Sequence, residues 1–395
     1  MTKLNELINE LCPNGVEYRT LGEVTEMQRG TSLTRINSNL GEYPVISGGR
    51  DPAFYCDKFN RENETITVAG SGAGAGYVQY WNQKIFVCDA FSIKGNKNLL
   101  TKYIYYCLEN LQEEIYATKK GGGVPHVHIS SISNFKIPVP PLPVQEEIVR
   151  ILDKFTSLEA ELEAELEARR VQYEYYRDEL LTAKTHKTEE VFLEDIAEYS
   201  KEKILASEVS ADSYVGVDNL LQNRQGKEAS THIPKEGNLT KYYPKDILIG
   251  NIRPYLKKIW FADSMGGTNG DVLVIHATSK KIIPRYLYFN LSSDRFFDYD
   301  NSKSKGAKMP RGDKDIIMKY KLTLPSLEVQ KRIVNVLDNF DAICSDLKIG
   351  LPAEIEARKK QYEYYRDLLL TFAERGNTIL TEQNRTEQNR TEQMK

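Results

Sequence analysis

Two stretches of the chain carry apolar and aromatic residues at spacings of three and four, the pattern of an amphipathic coiled-coil-like helix. They cover residues 141–184 and 326–375. The apolar positions of the first are Ile148, Ile151, Phe155, Leu158, Leu162, Leu166, Tyr173, Tyr176 and Leu180. About 39 helical residues would form a rod of roughly 58 Å. In the second stretch, Gly350 and Pro352 are a stop and restart signal that predicts a broken helix.

The remaining sequence has shorter apolar runs separated by Gly, Pro, Asn and Asp, which predict strands. Such runs include 64–70 and 246–250, and one or two helical stretches follow around 101–118 and 284–297. We therefore predict an α+β fold with two globular domains separated by an antiparallel pair of long helices. The predicted domains are 1–140 with a short N-terminal helix, helix 141–184, 185–325, broken helix 326–375, and a low-complexity tail of TEQNR repeats at 376–395.

The two halves repeat each other, which implies a pseudo-two-fold arrangement. The heptapeptide QYEYYRD occurs at 172–178 and again at 361–367, and VQEEIVRILDKF at 144–155 matches VQKRIVNVLDNF at 329–340. A long helix with one apolar stripe needs a partner, and the repeat is the obvious one. The alternative is that each helix packs only on its adjacent domain.

The heptapeptides predict two equal sites for an external partner. The residues assigned to these sites are Gln172, Tyr173, Tyr176, Arg177, Gln361, Tyr362, Tyr365 and Arg366. The alternative interpretation is that their tyrosines belong to the core.

Charge is unevenly distributed, although the net charge is only −3. Residues 145–182 hold 5 basic and 11 acidic side chains, whereas 301–321 hold 7 basic and 2 acidic. A local basic patch of this kind favours a polyanionic ligand. We expect a cytoplasmic protein, because we find neither a membrane-spanning run nor a signal peptide. The five scattered cysteines predict reduced thiols.

Two pairs of corresponding loops carry the candidate chemistry. The glycine-rich segment 70–76 lacks nucleotide-binding spacing and predicts a tight turn, while 250–258 in the second half offers amide, guanidinium and aromatic groups suited to reading base edges. The basic loops 119–128 and 302–312 would neutralise phosphates. The predicted DNA-binding residues are Ser71, Lys119, Lys120, His126, His128, Asn251, Arg253, Tyr255, Lys257, Lys258, Lys303, Lys305, Lys308 and Arg311. For each, a solvated loop is the alternative.

We predict no catalytic residues and no metal site. His126 and His128 alternate on a predicted strand, so that their rings could share a face, but a third ligand is missing.

These features resemble the specificity subunit of Type I restriction-modification systems over about residues 16 to 375. The paired heptapeptides, the two VQ-initiated helices, Asn251-IRPYLKKIWFAD and Lys308-MPRGDKD carry the resemblance. It implies a non-catalytic subunit that recognises a bipartite, asymmetric site in double-stranded DNA. It also implies docking of two adenine methyltransferase subunits, which use S-adenosylmethionine, and through them of a restriction and translocase subunit. No cofactor is implied for this chain.

Half-sites on one face of the duplex should lie about 10 base pairs apart, centre to centre. Adding or removing one LEAE unit of 158–169 should change the gap between them by about one or two base pairs. Two other functions remain open from sequence: an oligomerising scaffold that binds protein or glycan, and a stand-alone enzyme that uses the 70–76 loop.

Overall fold

The computed structural model describes residues 2–182, 188–306, 308–345 and 350–372. The chain forms two compact units. Unit 1 is Met1–Glu161 together with Glu356–Lys395, and unit 2 is Leu162–Ile355. The predicted tail, 376–395, lies outside the described residues.

Unit 1 combines three small sheets with short helices and the first part of a long one. Its helices are α1 (Thr2–Leu11), α2 (Leu21–Val24), α3 (Thr101–Asn110), α4 (Gln112–Ala117), α5 (Ile129–Ile132) and α6 (Leu142–Thr182). Its strands are β1 (Tyr18–Thr20), β2 (Thr25–Arg29), β3 (Tyr43–Ile46), β4 (Phe54–Cys56), β5 (Glu64–Ala69), β6 (Val78–Asn82), β7 (Phe86–Val87), β8 (Ala90–Gly95) and β9 (Lys136–Pro138). The sheets have the orders β2-β8-β5-β6, β4-β3-β7 and β1-β9.

Unit 2 repeats this plan. Its strands are β10 (Glu189–Phe192), β11 (Ala197–Tyr199), β12 (Lys203–Leu205), β13 (Tyr214–Val215), β14 (Asn238–Tyr242), β15 (Ile247–Gly250), β16 (Ile259–Phe261), β17 (Gly266–Thr268), β18 (Val272–Ala277) and β19 (Lys321–Leu324). Its helices are α7 (Pro284–Leu291), α8 (Asp294–Lys303), α9 (Lys314–Ile317) and α10 (Leu327–Ser345), and α11 (Leu351–Leu370) begins in it. The sheets have the orders β11-β18-β15-β16, β12-β14-β17-β13 and β10-β19.

The four-stranded antiparallel sheets place the functional loops, because each central strand ends at one of them. Strand β5 is buried from Thr65 to Ala69, and β15 is buried throughout. Helix α3 packs on the sheet of unit 1, and α7 contacts β18 in unit 2. Strand β15 is a continuous apolar run because it is covered on both faces, whereas β5 includes the buried polar residues Thr65 and Thr67.

The predicted helices 101–118 and 284–297 are each two helices in the structure. The first is interrupted at Leu111, between α3 and α4. The second is interrupted before Ser293, whose hydroxyl caps α8 by accepting a 3.2 Å hydrogen bond from the Phe296 amide. Helix α8 continues to Lys303, so the predicted loop 302–312 begins inside a helix.

Each unit contains a pair of antiparallel helical segments from the two repeated blocks. In unit 1, Phe155 stacks on Tyr365 with ring centroids 5.3 Å apart, and Glu159 pairs with Lys359 at 3.5 Å. In unit 2, Phe340 stacks on Tyr176 at 6.0 Å, while Cys344 lies near Arg170. The positions run in opposite directions on the two helices in both units. Antiparallel pairing is confirmed, and packing on the adjacent domain alone is excluded.

One fully buried glutamine near the start of each repeated helix joins that helix to its domain by hydrogen bonds. Gln145 accepts a hydrogen bond from the Leu100 amide at 2.9 Å and donates to the carbonyl oxygens of Asn98 and Pro140. Gln330 accepts from the Ile283 amide at 2.8 Å and donates to the carbonyl oxygens of Lys281 and Pro325. The repeat therefore extends to individual hydrogen bonds.

In the part of the chain that the structure describes, no helix is long and apolar enough to cross a bilayer. All five cysteines are free thiols, and only Cys88 is not buried.

Candidate nucleic-acid interface

In unit 1 the glycine-rich segment after β5 contacts the loop before α5. Lys120 and His126 exchange backbone hydrogen bonds of 3.0 and 2.8 Å, and Ser71 forms a bridge with His126. The Gly72 amide donates to the Pro125 carbonyl oxygen at 3.0 Å. These bonds bring Ser71, Lys120 and His126 into one surface group.

The other predicted residues of unit 1 lie at the edges of this group. The rings of His126 and His128 are stacked, with centroids 6.0 Å apart. They share a face as expected, but the predicted strand is wrong, because His128 is the N-cap residue of α5. The Lys119 ammonium lies 4.0 Å from the centroid of the Tyr116 ring.

Unit 2 builds the same backbone arrangement with different side chains. Lys305 and Arg311 exchange two backbone hydrogen bonds of 2.9 Å, and Ile252 forms a bridge with Arg311. The Arg253 amide donates to the Pro310 carbonyl oxygen at 2.8 Å. The correspondence of the two loop pairs is therefore confirmed.

Acidic residues neutralise part of the basic surface of unit 2. Lys305 pairs with Asp313 and Arg311 with Asp271, each at 2.7 Å. Both cations stay more than half exposed. Lys303, Lys308 and Arg253 form no ion pair with any other described residue, and all three are exposed. These three are the predicted cations best placed for an anionic ligand.

Two predicted DNA contacts are instead occupied within the chain. The Lys258 ammonium donates to the Val217 carbonyl oxygen at 2.5 Å, and burial lowers the pKa of Lys258. The Lys257 ammonium is bound by Asp294. A third residue, Asn251, is buried, so its amide does not reach the surface. These contacts, and the burial of Asn251, count against a DNA contact by Lys257, Lys258 or Asn251, whose DNA role stays a prediction. Tyr255 is half exposed and stays a candidate.

Asp294 organises this loop, and sequence reasoning missed it. Its carboxylate is bound by Lys257, by Arg224 and, at 3.5 Å, by the buried Arg177 of α6. Burial acts to raise the pKa of Asp294, but Lys257 and Arg224 together lower it below its ordinary value. Arg224 also donates its backbone amide to the Lys257 carbonyl oxygen at 3.0 Å, which joins the two loops. An aspartate at a helix start is common, so sequence carried no signal for this role.

The buried polar side chains of Asn251 and Asp300 lie beside Gly312, at the end of the basic loop 302–312. Asn251 Oδ1 and both carboxylate oxygens of Asp300 have no hydrogen-bond partner among the described residues. Burial raises the pKa of Asp300 to about 6. A Cβ atom at Gly312 would lie 2.4 Å from Asp300 Oδ1 and 2.7 Å from Asn251 Oδ1, so only glycine fits there. In unit 1 the corresponding positions are Gly70, Ile115 and Val127, and the last two are buried.

The heptapeptides divide between interior and surface. Arg177 and Tyr362 are buried in their own units, and Tyr362 donates to Glu109. The ring centroids of Tyr173 and Phe340 lie 6.4 Å apart, and the guanidinium of Arg366 donates a hydrogen bond to Asn110 at 3.2 Å. For these four residues the core alternative describes the structure better than a partner surface.

The partner role of the other heptapeptide residues stays a prediction. Gln172 and Tyr365 are half-buried, whereas Tyr176 and Gln361 are exposed. Two tyrosines that the prediction left out are more exposed still: Tyr175 at 64% and Tyr364 at 55%. Helical spacing could have found them, because Tyr175 lies two residues from the buried Arg177 and Tyr364 two residues from the buried Tyr362, and residues two apart on a helix face different ways.

Each unit has a cleft beside its exposed heptapeptide residues. The cleft of unit 2 has a volume of about 530 Å³ and is lined by Glu174, Tyr175 and Asp294 among others. The cleft of unit 1, about 340 Å³, is lined by Glu363, Arg366 and Glu113 among others. Within the described ranges no group of three or more His, Cys, Asp and Glu side chains could hold a metal ion.

The chain is similar to known proteins over most of its length. The family model "Type I restriction modification DNA specificity domain" matches residues 13–168 and again 186–357. The EcoR124I/EcoR124II type I restriction enzyme specificity subunit of Escherichia coli is 30% identical, with 94% of this chain and 98% of that protein aligned.

Two solved structures share the fold. The S subunit of a Type I restriction-modification system from M. genitalium has a TM-score of 0.54 at 19% identity and covers 90% of this chain and 95% of that one. A chain from a study of complex assembly and conformational transition of the type I R-M system also has a TM-score of 0.54, at 15% identity. The match covers 91% of this chain and 98% of that one.

Proposed function

Because the chain belongs to the Type I restriction modification DNA specificity domain family, we propose that its two units each read one half of a bipartite, asymmetric DNA site. The chain is a specificity subunit, a DNA-recognition subunit without catalytic activity of its own. Its relatives therefore argue against the scaffold and stand-alone enzyme alternatives.

One observation carries the proposal: the same loop framework occurs twice with different side chains. Gly72 and Arg253 donate equivalent backbone hydrogen bonds, and so do the Lys120–His126 and Lys305–Arg311 pairs. A common framework would present both loop pairs to the same kind of ligand. Different side chains would then recognise different base edges, so the two half-sites should differ in sequence.

Within each half-site we assign the lysines around the framework to phosphates; all of them are exposed except Lys119, which is half-buried. Lys119 and Lys120 in unit 1, and Lys303, Lys305 and Lys308 in unit 2, surround the framework. Lysine acts as a compact point charge that suits a phosphate oxygen and carries little sequence information.

Two methyltransferase subunits are the partners that the repeated heptapeptides would bind. Tyr175 and Tyr364 are the most exposed tyrosines of each copy, and each copy borders a cleft with carboxylate groups. An exposed tyrosine beside a cleft is typical of an interface anchor. The partners would supply S-adenosylmethionine for adenine methylation and would connect the chain to a restriction and translocase subunit. A cytoplasmic location stays a prediction.

The test is to map methylated adenines produced by the full-length chain with its methyltransferase. We expect two different short sequences separated by an unspecified gap, about 10 base pairs centre to centre. Exchanging residues 251–258 and 302–312 for those of another specificity subunit should change one half and leave the other intact. A continuous target, or a change in both halves, would contradict the assignment.

Removing one LEAE unit from α6 tests the spacer role of the helix. The rod would shorten by about 6 Å. Both half sequences should stay the same, while the gap between them changes by about one or two base pairs. An unchanged gap would show that α6 does not set the spacing.

A further inference from the structure

Arg253 adopts a backbone conformation that is rare for its residue type. Its φ is 54° and its ψ is 66°, the left-handed region. In that region the Cβ atom of an L-residue crowds the following carbonyl oxygen. Pro254 follows directly, and a proline restricts the residue before it to extended conformations. The backbone of Arg253 is therefore unfavourable for two separate reasons.

The turn itself does not require an arginine. In unit 1 the residue that donates the equivalent hydrogen bond to a proline carbonyl is Gly72, with φ 81°. Glycine takes this conformation without a steric cost. Unit 2 thus holds an arginine at a position where unit 1 has the residue that suits the backbone.

Interactions within unit 2 account for the neighbouring left-handed cations but not for Arg253. Arg224 (φ 65°) and Lys257 (φ 51°) both bind Asp294. The guanidinium of Arg253 is exposed and forms no hydrogen bond or ion pair with any other described residue. Strained residues at such places are typical of functional sites, where a ligand makes use of the side chain.

The surroundings of Arg253 indicate which ligand. Ile252, its neighbour, forms a bridge with Arg311, and Lys308 lies on the same basic loop. A planar guanidinium on a basic surface matches the O6 and N7 acceptors of guanine in the major groove, which it can bind with two hydrogen bonds. A lysine offers a point charge in place of this planar pair of donors, so the exchange is not conservative at such a contact.

We propose that Arg253 is a specificity-determining residue that reads a guanine in the half-site bound by unit 2. The proposal rests on the proposed function, because it requires unit 2 to bind DNA. It goes beyond that function by naming the residue, Arg253, the base that it reads, guanine, and the major groove as the place of contact.

The test compares Arg253→Gly with Arg253→Lys and with the control Lys245→Gly. Lys245 is also left-handed (φ 79°) and precedes β15, whereas Arg253 follows the other end of that strand. Both glycine variants should melt at or slightly above the wild-type temperature, because they relieve the same backbone strain. Affinity would be measured for the full-length chain with its methyltransferase, on the target duplex and on duplexes substituted at each position.

We expect Arg253→Gly and Arg253→Lys to weaken target binding by about 10- to 100-fold and to abolish discrimination at one guanine. For both Arg253 variants, the salt dependence of target binding should stay as in the wild type. The control Lys245→Gly should bind the target duplex like the wild type. Uniform weakening on all sequences with a shallower salt dependence would identify a phosphate contact and overturn the proposal. Unaltered binding by Arg253→Gly would overturn it too. If the wild-type complex itself shows no sequence preference, the proposed function fails instead.

Discussion

Units 1 and 2 share a framework but differ at its centre. Lys102 pairs with Asp153 in unit 1 as Arg285 pairs with Asp338 in unit 2, and the Tyr103 and Tyr286 hydroxyls donate to equivalent carbonyl oxygens. Beneath the loops the units diverge: Gly70, Ile115 and Val127 in one become Asn251, Asp300 and Gly312 in the other. The framework therefore tolerates either an apolar or a polar centre, which lets the loops change without loss of the fold.

The largest expected effect is the loss of a repeated glutamine. Gln145→Leu should destabilise unit 1, and Gln330→Leu unit 2, by about 3–5 kcal/mol each, because each leaves one buried amide and two carbonyl oxygens without a partner. Peptide-resolved hydrogen exchange would measure the loss of stability in each unit. It should be confined to the unit that carries the substitution, and a large effect in one unit alone would break the equivalence.

Sequence predicted the framework better than the surface. The spacing of Phe155 and Phe340 predicted the helix seam, and the matching loops predicted equivalent places. Repetition alone did not show which side of a heptapeptide is covered, since Tyr175 and Tyr362 belong to the same motif but face different surroundings. The Asp294 cluster was also out of reach, because Arg177, Arg224 and Asp294 are distant in sequence and meet only through folding.

The next effect concerns the polar centre of unit 2. The Tyr199 and Tyr299 hydroxyls near Asp300 donate to the carbonyl oxygens of Lys314 and Ile316, both at 3.0 Å, so neither stabilises the carboxylate. The pKa of Asp300 is about 6 in the folded state against an ordinary 3.8. The folded state binds this proton more tightly, so the stability contributed by Asp300 is full below about pH 4 and is lost as pH rises through about 6.

Asp300→Asn should therefore stabilise unit 2 by up to about 3 kcal/mol at pH 7. The gain over the wild type should shrink toward zero at about pH 4. Urea unfolding at a series of pH values measures both. Ile115→Val, at the corresponding buried position of unit 1, is the control and should show no such pH dependence. A gain that is the same at every pH would rule out titration of Asp300 as its cause.

A smaller effect distinguishes the two ion pairs. The guanidinium of Arg285 binds Asp338 at 2.7 Å and Asp341 at 3.1 Å, and it lies 4.7 Å from the Tyr288 ring centroid. The ammonium of Lys102 binds Asp153 at 2.9 Å. Arg285→Lys should cost about 1–2 kcal/mol, because a point charge cannot satisfy both carboxylates and stack. Lys102→Arg makes the opposite exchange, lysine to arginine, at the corresponding position of unit 1. A thermal melt in which Arg285→Lys has no effect would make the two pairs interchangeable.

The smallest expected effect on the fold is at the exposed tyrosines, where substitution separates partner binding from stability. Tyr175→Ala and Tyr364→Ala should each leave unfolding within about 0.5 kcal/mol of the wild type, because neither side chain is buried. Each should weaken one of the two proposed methyltransferase sites by about 1–2 kcal/mol, roughly five- to thirtyfold, and leave the other unchanged. Titration calorimetry with the partner would then resolve one weakened and one normal site. Equal weakening of both sites by either variant would mean that the partners bind cooperatively, while unchanged affinity would move the docking surface away from the heptapeptides.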